Sequence, residues 1–545
     1  MPVVNLNRKV FDKLVGKKLT TEQLKDRISY LGTDLEKIDD KEIIVEVFPN
    51  RPDMLSEQGF SRAFSSFIGI KKGLRNYKVI KSAYKVIVDP SVRSIRPYIA
   101  CAVVKNLRFD DEKIREIIQI QEKLHVTFGR DRKKAAIGIY PMEKIKWPIK
   151  YLAKKPNDIK FQPLESNKIM TSIQILNDHP TGKSYKHLLE GKDKYPLFID
   201  SNNEVLSMPP IINSHNIGKI DERTRDVFIE CSGFDFNTLK QTLNIIVTAL
   251  DDMGGDIYSV EIDYGKKFVT PDLNPVEMKL DLNYVNKLLG LNLKQNDVKK
   301  YLERMGHDYK SRVLIPAYRT DILHPIDLVE DIAIAYGYEN FNELIPKIST
   351  IAEENKFEIF KSKIADLLVG FNLIEVSSYH ITNNKEINNY MNLDNDYVEL
   401  ISSNEEYNAL RTSMIPNLLK ILGNNKHNEY PQNIFEMGNI FRKGKSETGI
   451  EEETRLAVDL CHSKANFTEI KQIIDSLLEN LGLNCSIENI EHKSFIPGRV
   501  GKIIIKGKET AIMGEIHPSV LVNFGIETPV SVFELDLKRL FEIVY

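Results

Sequence analysis

The chain has 545 residues, room for roughly three or four domains with sizeable cores, and its 42% apolar and 28% charged composition is that of an ordinary soluble protein. Its 75 basic and 77 acidic side chains leave a formal charge of −2, which excludes nucleic-acid binding through bulk positive charge; any such contact must come from a local patch or a partner. The four cysteines, Cys101, Cys231, Cys461 and Cys485, stand far apart with no C-x-x-C pair, which argues against a disulfide framework or zinc knuckle and fits a reducing cytosol.

Residues 1–75 read as a small mixed α/β domain. Thr20-x-x-Gln23 is a capping box, and Leu24, Ile28 and Leu31 continue it at helical spacing up to Gly32. The opening Met-Pro-Val-Val-Asn-Leu-Asn-Arg lacks a signal-peptide apolar core, and no later apolar run approaches a membrane span, so a soluble, cytoplasmic protein is expected. Ile43 to Phe48 is a β-rich run stopped by Pro49-Asn-Arg-Pro-Asp53, after which a helix from Ser56 buries Phe60, Ala63, Phe64 and Phe67.

Residues 80–265 read as a larger, β-rich domain with strands over Ala135 to Tyr140, Tyr195 to Asp200 and Asp226 to Cys231. Gly129-Arg-Asp-Arg-Lys-Lys134 is a local basic cluster; His125 just upstream reads as packed or surface, and Trp147 as core. His179-Pro-Thr-Gly-Lys-Ser184 carries the G-K-S of a phosphate loop, but Asn177 stands where a Walker A loop needs its first glycine, so ATP hydrolysis by this chain is not supported.

Residues 270–345 form a compact third unit. One helix is expected to bury Val285, Leu288 and Leu289; a second, capped by Asn296, carries Val298, Tyr301, Leu302 and Met305 on one face. The unit closes on Arg319-Thr-Asp-Ile-Leu-His-Pro-Ile-Asp-Leu-Val-Glu-Asp-Ile-Ala-Ile-Ala-Tyr-Gly-Tyr338, which holds the carboxylates Asp321, Asp327, Glu330 and Asp331. The last three fall at i, i+3 and i+4 and would share one helix face. Two readings fit and do not exclude each other: an all-oxygen site for a hard cation such as magnesium, or a D-x-x-E capping box with first-turn acids favoured by the helix dipole. Residues 350–545 read as α+β, with a helix over Phe357, Phe360, Ile364, Leu367 and Leu368 and a strand from Ile374 to Tyr379 before several more.

Several motifs in this order resemble the phenylalanyl-tRNA synthetase beta-subunit family of the archaeal and eukaryotic type. They are Asn50-Arg-Pro-Asp-x-Leu-Ser-x-x-Gly59, Leu206 to Ser214, Val227 to Asp235, the acidic segment ending Tyr-Gly-Tyr338, Leu410 to Pro416, Asn433 to Arg442, Phe495 to Arg499 and Gly514 to Pro518. The resemblance implies a multidomain α+β chain. Its N-terminal mixed domain (1–75) is followed by a β-rich editing domain (80–265) and a small α/β domain with a magnesium-linked acidic helix (270–345). The last part (350–545) would be a class II synthetase-like antiparallel-sheet domain without catalysis, because Gly444 stands at the motif 2 glutamate position and no late ATP-binding arginine segment is present.

The implied activity is ATP-dependent attachment of phenylalanine to tRNA-Phe with a catalytic alpha subunit, in an alpha2-beta2 heterotetramer whose alpha subunits bind ATP and phenylalanine. This chain would scaffold the complex and hydrolyse mischarged tyrosyl-tRNA-Phe. Ser207, Asn213, Ser214, Glu230 and Ser232 would be the polar groups of the editing pocket, with Phe198 as an apolar wall and the 129–134 cluster guiding the tRNA end. An apolar phenylalanine pocket rejects an isostere with an added hydroxyl only about a hundredfold, whereas a second site built to bond that hydroxyl selects it sharply. Glu230 would accept the tyrosyl hydroxyl proton, and with no Ser-His-Asp or Cys-His set, water would attack the ester. Asp321, Asp327, Glu330 and Asp331 would be the magnesium carboxylates near the alpha subunit. The family often has threonine where this chain has Ser232, and another residue at Phe234. A free-standing deacylase and a scaffold with a decayed pocket are the competing readings.

Overall fold

A computed structural model describes residues 2–346, 350–401 and 406–545, and the chain divides into two compact units, Met1–Leu344 and Ile345–Tyr545. Among the described residues no helix is long and apolar enough to cross a membrane.

The first unit opens with a three-stranded antiparallel sheet in the order Val3–Asn7, Glu42–Glu46, Asp34–Ile38. The helix Thr21–Tyr30 starts on the expected Thr20–Gln23 box. The helix Glu57–Phe67 starts where Ser56 Oγ accepts from the Gly59 N–H at 3.0 Å, and a Cβ at Gly59 would lie 1.9 Å from the Asp53 carbonyl. Close approach of the Asn-Arg-Pro-Asp turn therefore requires glycine there. Phe60, Phe64 and Phe67 are buried with Phe11, while Ala63, expected inside, is only partly covered because it sits at the edge of that stripe.

Next comes an eleven-stranded sheet. Its main path runs Ile212–Asn213, Val205–Met208, Tyr195–Ile199, Ile149–Lys154, Lys85–Val88, Asp256–Asp263, Tyr98–Lys105, Val227–Gly233, Ala135–Pro141. Val227–Gly233 lies between two antiparallel neighbours and is buried along its whole length. Its alternation sorts the side chains. Val227, Ile229 and Cys231 join the core formed with Leu243, Ile246 and Leu250 of the helix Phe236–Asp252, whereas Phe228 belongs to a separate core with Tyr140, Tyr151 and Phe198. Glu230 and Ser232 share the side of Phe228, so a carboxyl is forced into the interior.

The G-K-S segment lies in the short helix Pro180–Tyr185, and a Cβ at Gly182 would meet the Ile175 carbonyl at 1.8 Å. That glycine packs two helices together and cradles nothing. In the small region that follows, the helices Leu282–Leu289, Gln295–Arg304 and Pro325–Tyr336 enclose Val285, Val298, Leu302, Leu328 and Ile332. Two expectations need correction. Leu288 is 47% exposed, one position off the buried stripe. The helix begins at Gln295 rather than after Asn296, because the Asp297 carboxylate accepts from the Lys294 N–H at 2.9 Å.

The second unit is a seven-stranded sheet in the order Ile374–Glu375, Gln432–Lys443, Ile450–Cys461, Val530–Asp536, Lys508–Ile516, Phe495–Ile505, Cys485–Asn489, antiparallel except for its first pair. The strand expected through Tyr379 ends at Glu375; Ser378 instead donates to Glu436 at 2.6 Å. One sheet face carries Leu456, Val458, Phe533 and Leu535 beneath the helices Lys356–Gly370, Phe467–Asn480 and Leu537–Val544. The other carries Ala457, Cys461 and Val532 against the helix Ile415–Asn424, whose N-terminus is capped by Glu534 accepting from Ser413 Oγ at 2.6 Å and the Met414 N–H at 2.9 Å.

Between Ala457 and Cys461 on that apolar face stands Asp459, fully buried, with neither carboxyl oxygen hydrogen-bonded to any described residue. Burial, reinforced by Glu534, pushes its acid well above the ordinary carboxylate range. An acid whose folded pKa is raised holds more protons folded than unfolded, so it costs stability as pH rises past its unfolded value of about 4. Asp459→Asn is therefore expected to raise the melting temperature of the full chain at neutral pH and to flatten its fall as pH rises above about 4, read by differential scanning calorimetry. An unchanged pH profile would show that Asp459 finds compensation elsewhere.

Candidate functional site

A cleft of about 560 Å³ opens in the first unit, and Ser207, Asn213 and Glu230 all line it. Three strands bring them together. Ser207 lies in Val205–Met208, directly opposite Asn213 in the antiparallel pair with Ile212–Asn213, and Glu230 comes from the buried Val227–Gly233. Glu230 is 2% exposed. Its Oε1 lies 3.1 Å from Tyr140 Oη, which lies 3.3 Å from Asn213 Oδ1. By hydrogen-bond geometry, Glu230 Oε2 and Ser207 Oγ are both buried without a partner among the described residues. Burial pushes the Glu230 acid up to about 8, opposed by the Tyr140 hydroxyl and the charge of Arg96, so at neutral pH it is largely a carboxylic acid.

Ser232, Ser214 and Phe198 do not join this lining. Ser232 Oγ accepts from Arg96 Nε at 3.1 Å, and Arg96 also donates to the Arg132 carbonyl at 3.0 Å. Burial pulls the Arg96 guanidinium down to about 10. Ser232 thus anchors the arginine that braces the 130–132 turn, whose three residues all have positive φ (48°, 51° and 64°). Ser214 Oγ accepts from the Ile217 N–H at 3.3 Å and caps the short helix His215–Gly218. Phe198 packs inside, its ring 4.5 Å from that of Tyr151.

Sequence reasoning missed several groups at the cleft. Arg132, read only as one of a basic run, is built into the rim: it donates to the Ile211 carbonyl at 2.8 Å and to Glu122 at 3.1 Å, with Tyr185 under its guanidinium at 4.1 Å. His125 is buried and its Nε2 accepts from the Ile137 N–H at 2.9 Å; burial lowers its pKa, so it stands neutral and already engaged. Tyr140 was read only as a strand residue. Its signal was Gly138, because a glycine inside a strand marks a close approach. The cleft therefore offers apolar walls (Ile137, Ile211, Ile212), an arginine at the rim and, at depth, a carboxyl oxygen and a hydroxyl without partners. That combination suits an apolar ligand bearing one buried hydroxyl near a phosphate.

The acidic segment is arranged differently from the expected single face. The cap of Pro325–Tyr336 is His324, whose Nδ1 accepts from the Ile326 N–H at 3.2 Å, and Asp327 is the third helical residue, accepting from the Leu323 and His324 N–H groups at 2.7 Å each. The capping box thus starts three residues before Asp327, since His324-Pro325 supplies the helix start. Asp331 points inward to His307 (2.7 Å) and Arg319 (2.9 Å); burial pushes it up, but Arg319 and His307 together hold it below its ordinary value. Asp321 also pairs with Arg319, at 2.7 Å, and Glu330 is exposed. Four carboxylates suit a hard cation chemically, but in this chain alone they do not converge. The acids whose oxygens do lie within 4.8 Å of one another, among the described residues, are Asp34, Glu36 and Glu46 on the N-terminal sheet.

Comparison with known proteins places these features in context. Residues 278–338 match the model of the tRNA synthetase B5 domain, and residues 342–537 that of the phenylalanyl tRNA synthetase beta chain CLM domain. The chain is 40% identical over 556 residues to the phenylalanine–tRNA ligase beta subunit of Thermococcus sibiricus, covering 99% of each. With that of Pyrococcus abyssi it is 40% identical over 562 residues, 99% of this chain and 100% of the other. Among solved structures, an N-terminal fragment of the phenylalanyl-tRNA synthetase beta subunit from Pyrococcus horikoshii aligns with a TM-score of 0.59 and 38% identity, covering 62% of this chain and 99% of the fragment.

Proposed function

The chain belongs to the phenylalanine–tRNA ligase beta-subunit family, components of a ligase complex, and from that premise we propose that it proofreads within the complex, hydrolysing tyrosyl-tRNA-Phe in the cleft around Glu230. As a beta subunit it works with an alpha subunit and tRNA. The proposal assigns ATP and phenylalanine to the alpha subunit, the assembly to an alpha2-beta2 heterotetramer and the location to the cytoplasm.

The observation that carries the proofreading reading is the buried, unpaired Glu230 Oε2 at the bottom of a cleft whose walls are apolar. A tyrosyl ring entering the cleft satisfies that oxygen with its hydroxyl; a phenylalanyl ring leaves it unsatisfied, which costs about 1–3 kcal/mol. Ser207 Oγ offers a second group to the same hydroxyl. Arg132 at the rim is placed to meet the phosphate backbone of the tRNA end. Because no lining serine is paired with a histidine, the reaction assigned to the cleft is attack by water on the ester, with the protein supplying position and selectivity.

Synthesis is assigned elsewhere because of the second unit. Gly444 follows the strand Gln432–Lys443 in a hairpin closed by its N–H on the Gly449 carbonyl at 2.9 Å, and it supplies no carboxylate at the position where the motif would carry one. Arg411 and Glu436, buried together at 2.8 Å, hold the sheet to the segment before Ile415–Asn424. A free-standing deacylase would have no use for this unit, which favours the subunit reading.

On the family likeness we assign magnesium at the alpha contact to Asp321, Asp327, Glu330 and Asp331; in this chain Arg319 already neutralises Asp321 and Asp331 and Asp327 caps the helix, so the four acids alone do not form a ligand set.

Two measurements test these assignments. Glu230→Ala in the complete enzyme should lower tyrosine selectivity in deacylation about tenfold while sparing aminoacylation with phenylalanine; clearance equal to wild type would remove Glu230 from recognition. Asp327→Asn with Glu330→Gln should weaken alpha–beta association and blunt its magnesium dependence, whereas a cap alone would cost about 1 kcal/mol of helix stability and leave affinity unchanged across a magnesium titration.

A further inference from the structure

Tyr140 is fully buried, and its ring reaches Glu230 by lying across Gly138 of its own strand. A Cβ at Gly138 would come within 2.1 Å of Tyr140 Oη and 2.7 Å of Glu230 Oε1, so the glycine is what allows the contact. Packing fixes the ring from the other side, 5.9 Å from Phe228 between centroids. The hydroxyl then stands between two acceptor oxygens, Glu230 Oε1 at 3.1 Å and Asn213 Oδ1 at 3.3 Å. A phenol has one proton and cannot serve both. The nearer, Glu230 Oε1, is its acceptor, and that bond favours the ionised carboxylate against burial, while Asn213 Oδ1 competes for the same proton.

We propose that Tyr140 is the positioning residue of the cleft: its hydroxyl holds one Glu230 oxygen, Oε1, beside Asn213 and so presents the other, Oε2, to the hydroxyl of a bound phenol. This rests on the proofreading reading and adds to it the group that sets Glu230's orientation and proton. The cleft's own phenol occupies Oε1 permanently, which leaves room for a single ligand hydroxyl at Oε2. A carboxyl free to rotate would meet the ligand in either orientation and lose selectivity.

The groups that face Glu230 are few. Tyr140 and Arg96 oppose the effect of burial on it, and Cys231 of its own strand, Cys101 of the paired strand Tyr98–Lys105 and Tyr151 further along the sheet interact with its charge, their own protons held on more tightly by burial. At the cleft mouth His125 is neutral and Arg132 is paired with Glu122. Of the groups lining the cleft, Glu230 is the one that burial brings to about 8, and Glu230→Gln separates its proton from that of His215, which also lines the cleft.

The test uses the full chain in complex with its alpha subunit, as wild type, Tyr140→Phe and Asn213→Ala, with hydrolysis of tyrosyl-tRNA-Phe followed from about pH 6 to 9. Tyr140→Phe keeps the ring and removes the tie. It should lower clearance about tenfold and move the inflection to higher pH, because the lost hydrogen bond had opposed the effect of burial on Glu230. Asn213→Ala frees the Tyr140 proton for Glu230 and should move the inflection the opposite way. A purely structural role would produce no such opposed pair, and wild-type rate and inflection in Tyr140→Phe would overturn the proposal. A second readout does not depend on hydrolysis: infrared pH titration of the Glu230 carboxyl in the full chain, its band assigned with Glu230→Gln. An upward shift in Tyr140→Phe supports the positioning role even if the wild-type complex clears no tyrosyl ester, a result that would sink only the proofreading reading. An unshifted band overturns the positioning role whatever the hydrolysis shows.

Discussion

A carboxyl on a strand buried on both faces must find partners or give up its charge, and Glu230 does some of each. Its strand, Val227–Gly233, is held between Tyr98–Lys105 and Ala135–Pro141, and Glu230 is 2% exposed, meeting solvent only through the cleft it lines. The charged form is disfavoured by burial and only partly restored by the Tyr140 hydroxyl donating to one oxygen, and the remaining oxygen faces the cleft. The walls, the bracing of the 130–132 turn by Arg96 and the glycine at 138 all serve that placement. On the proposed proofreading role, selectivity would follow from leaving one buried polar atom unsatisfied until a ligand hydroxyl meets it.

The rest of the chain treats buried charge in other ways. Arg319 sits among Asp321, Asp331 and His307, and Arg411 among Glu436 and Ser378, each guanidinium satisfied by a carboxylate at hydrogen-bond distance. Such pairs contribute little net stability but are costly to break, because removal of one member strands the other in the interior. Asp459, on an apolar sheet face, and the mutually neighbouring acids Glu57 and Glu116 are buried without a cation among the described residues, and burial raises all three. Glu230, by contrast, opens on a cleft with one oxygen left without a partner among the described residues.

Much of the fold was legible. The strands Ala135–Pro141, Tyr195–Ile199 and Val227–Gly233 and the helices Thr21–Tyr30 and Lys356–Gly370 announced themselves through apolar periodicity and caps that act within one element. What escaped depended on distant parts of the chain. Asp327 was seen as a capping residue, but its place in the cap was displaced because His324-Pro325 begins the helix. Asp331 seemed to belong to an exposed acidic face until Arg319 and His307 drew it inward. Ser207, Asn213 and Glu230 were picked through resemblance and share one cleft, whereas Ser232, picked with them, is taken up by Arg96 from elsewhere in the sequence. Tyr140 could be recognised only once the register of three strands set Gly138 opposite Glu230.

The central claim is that this cleft distinguishes an aromatic ring with a hydroxyl from one without. The most direct measurement is the rate at which the wild-type alpha–beta complex hydrolyses pre-formed tyrosyl-tRNA-Phe compared with phenylalanyl-tRNA-Phe, under conditions that block re-charging. The account predicts that the tyrosyl ester is cleared at least about tenfold faster, the discrimination expected from one buried polar group left unpaired. Equal rates, or no clearance of either ester, would contradict it.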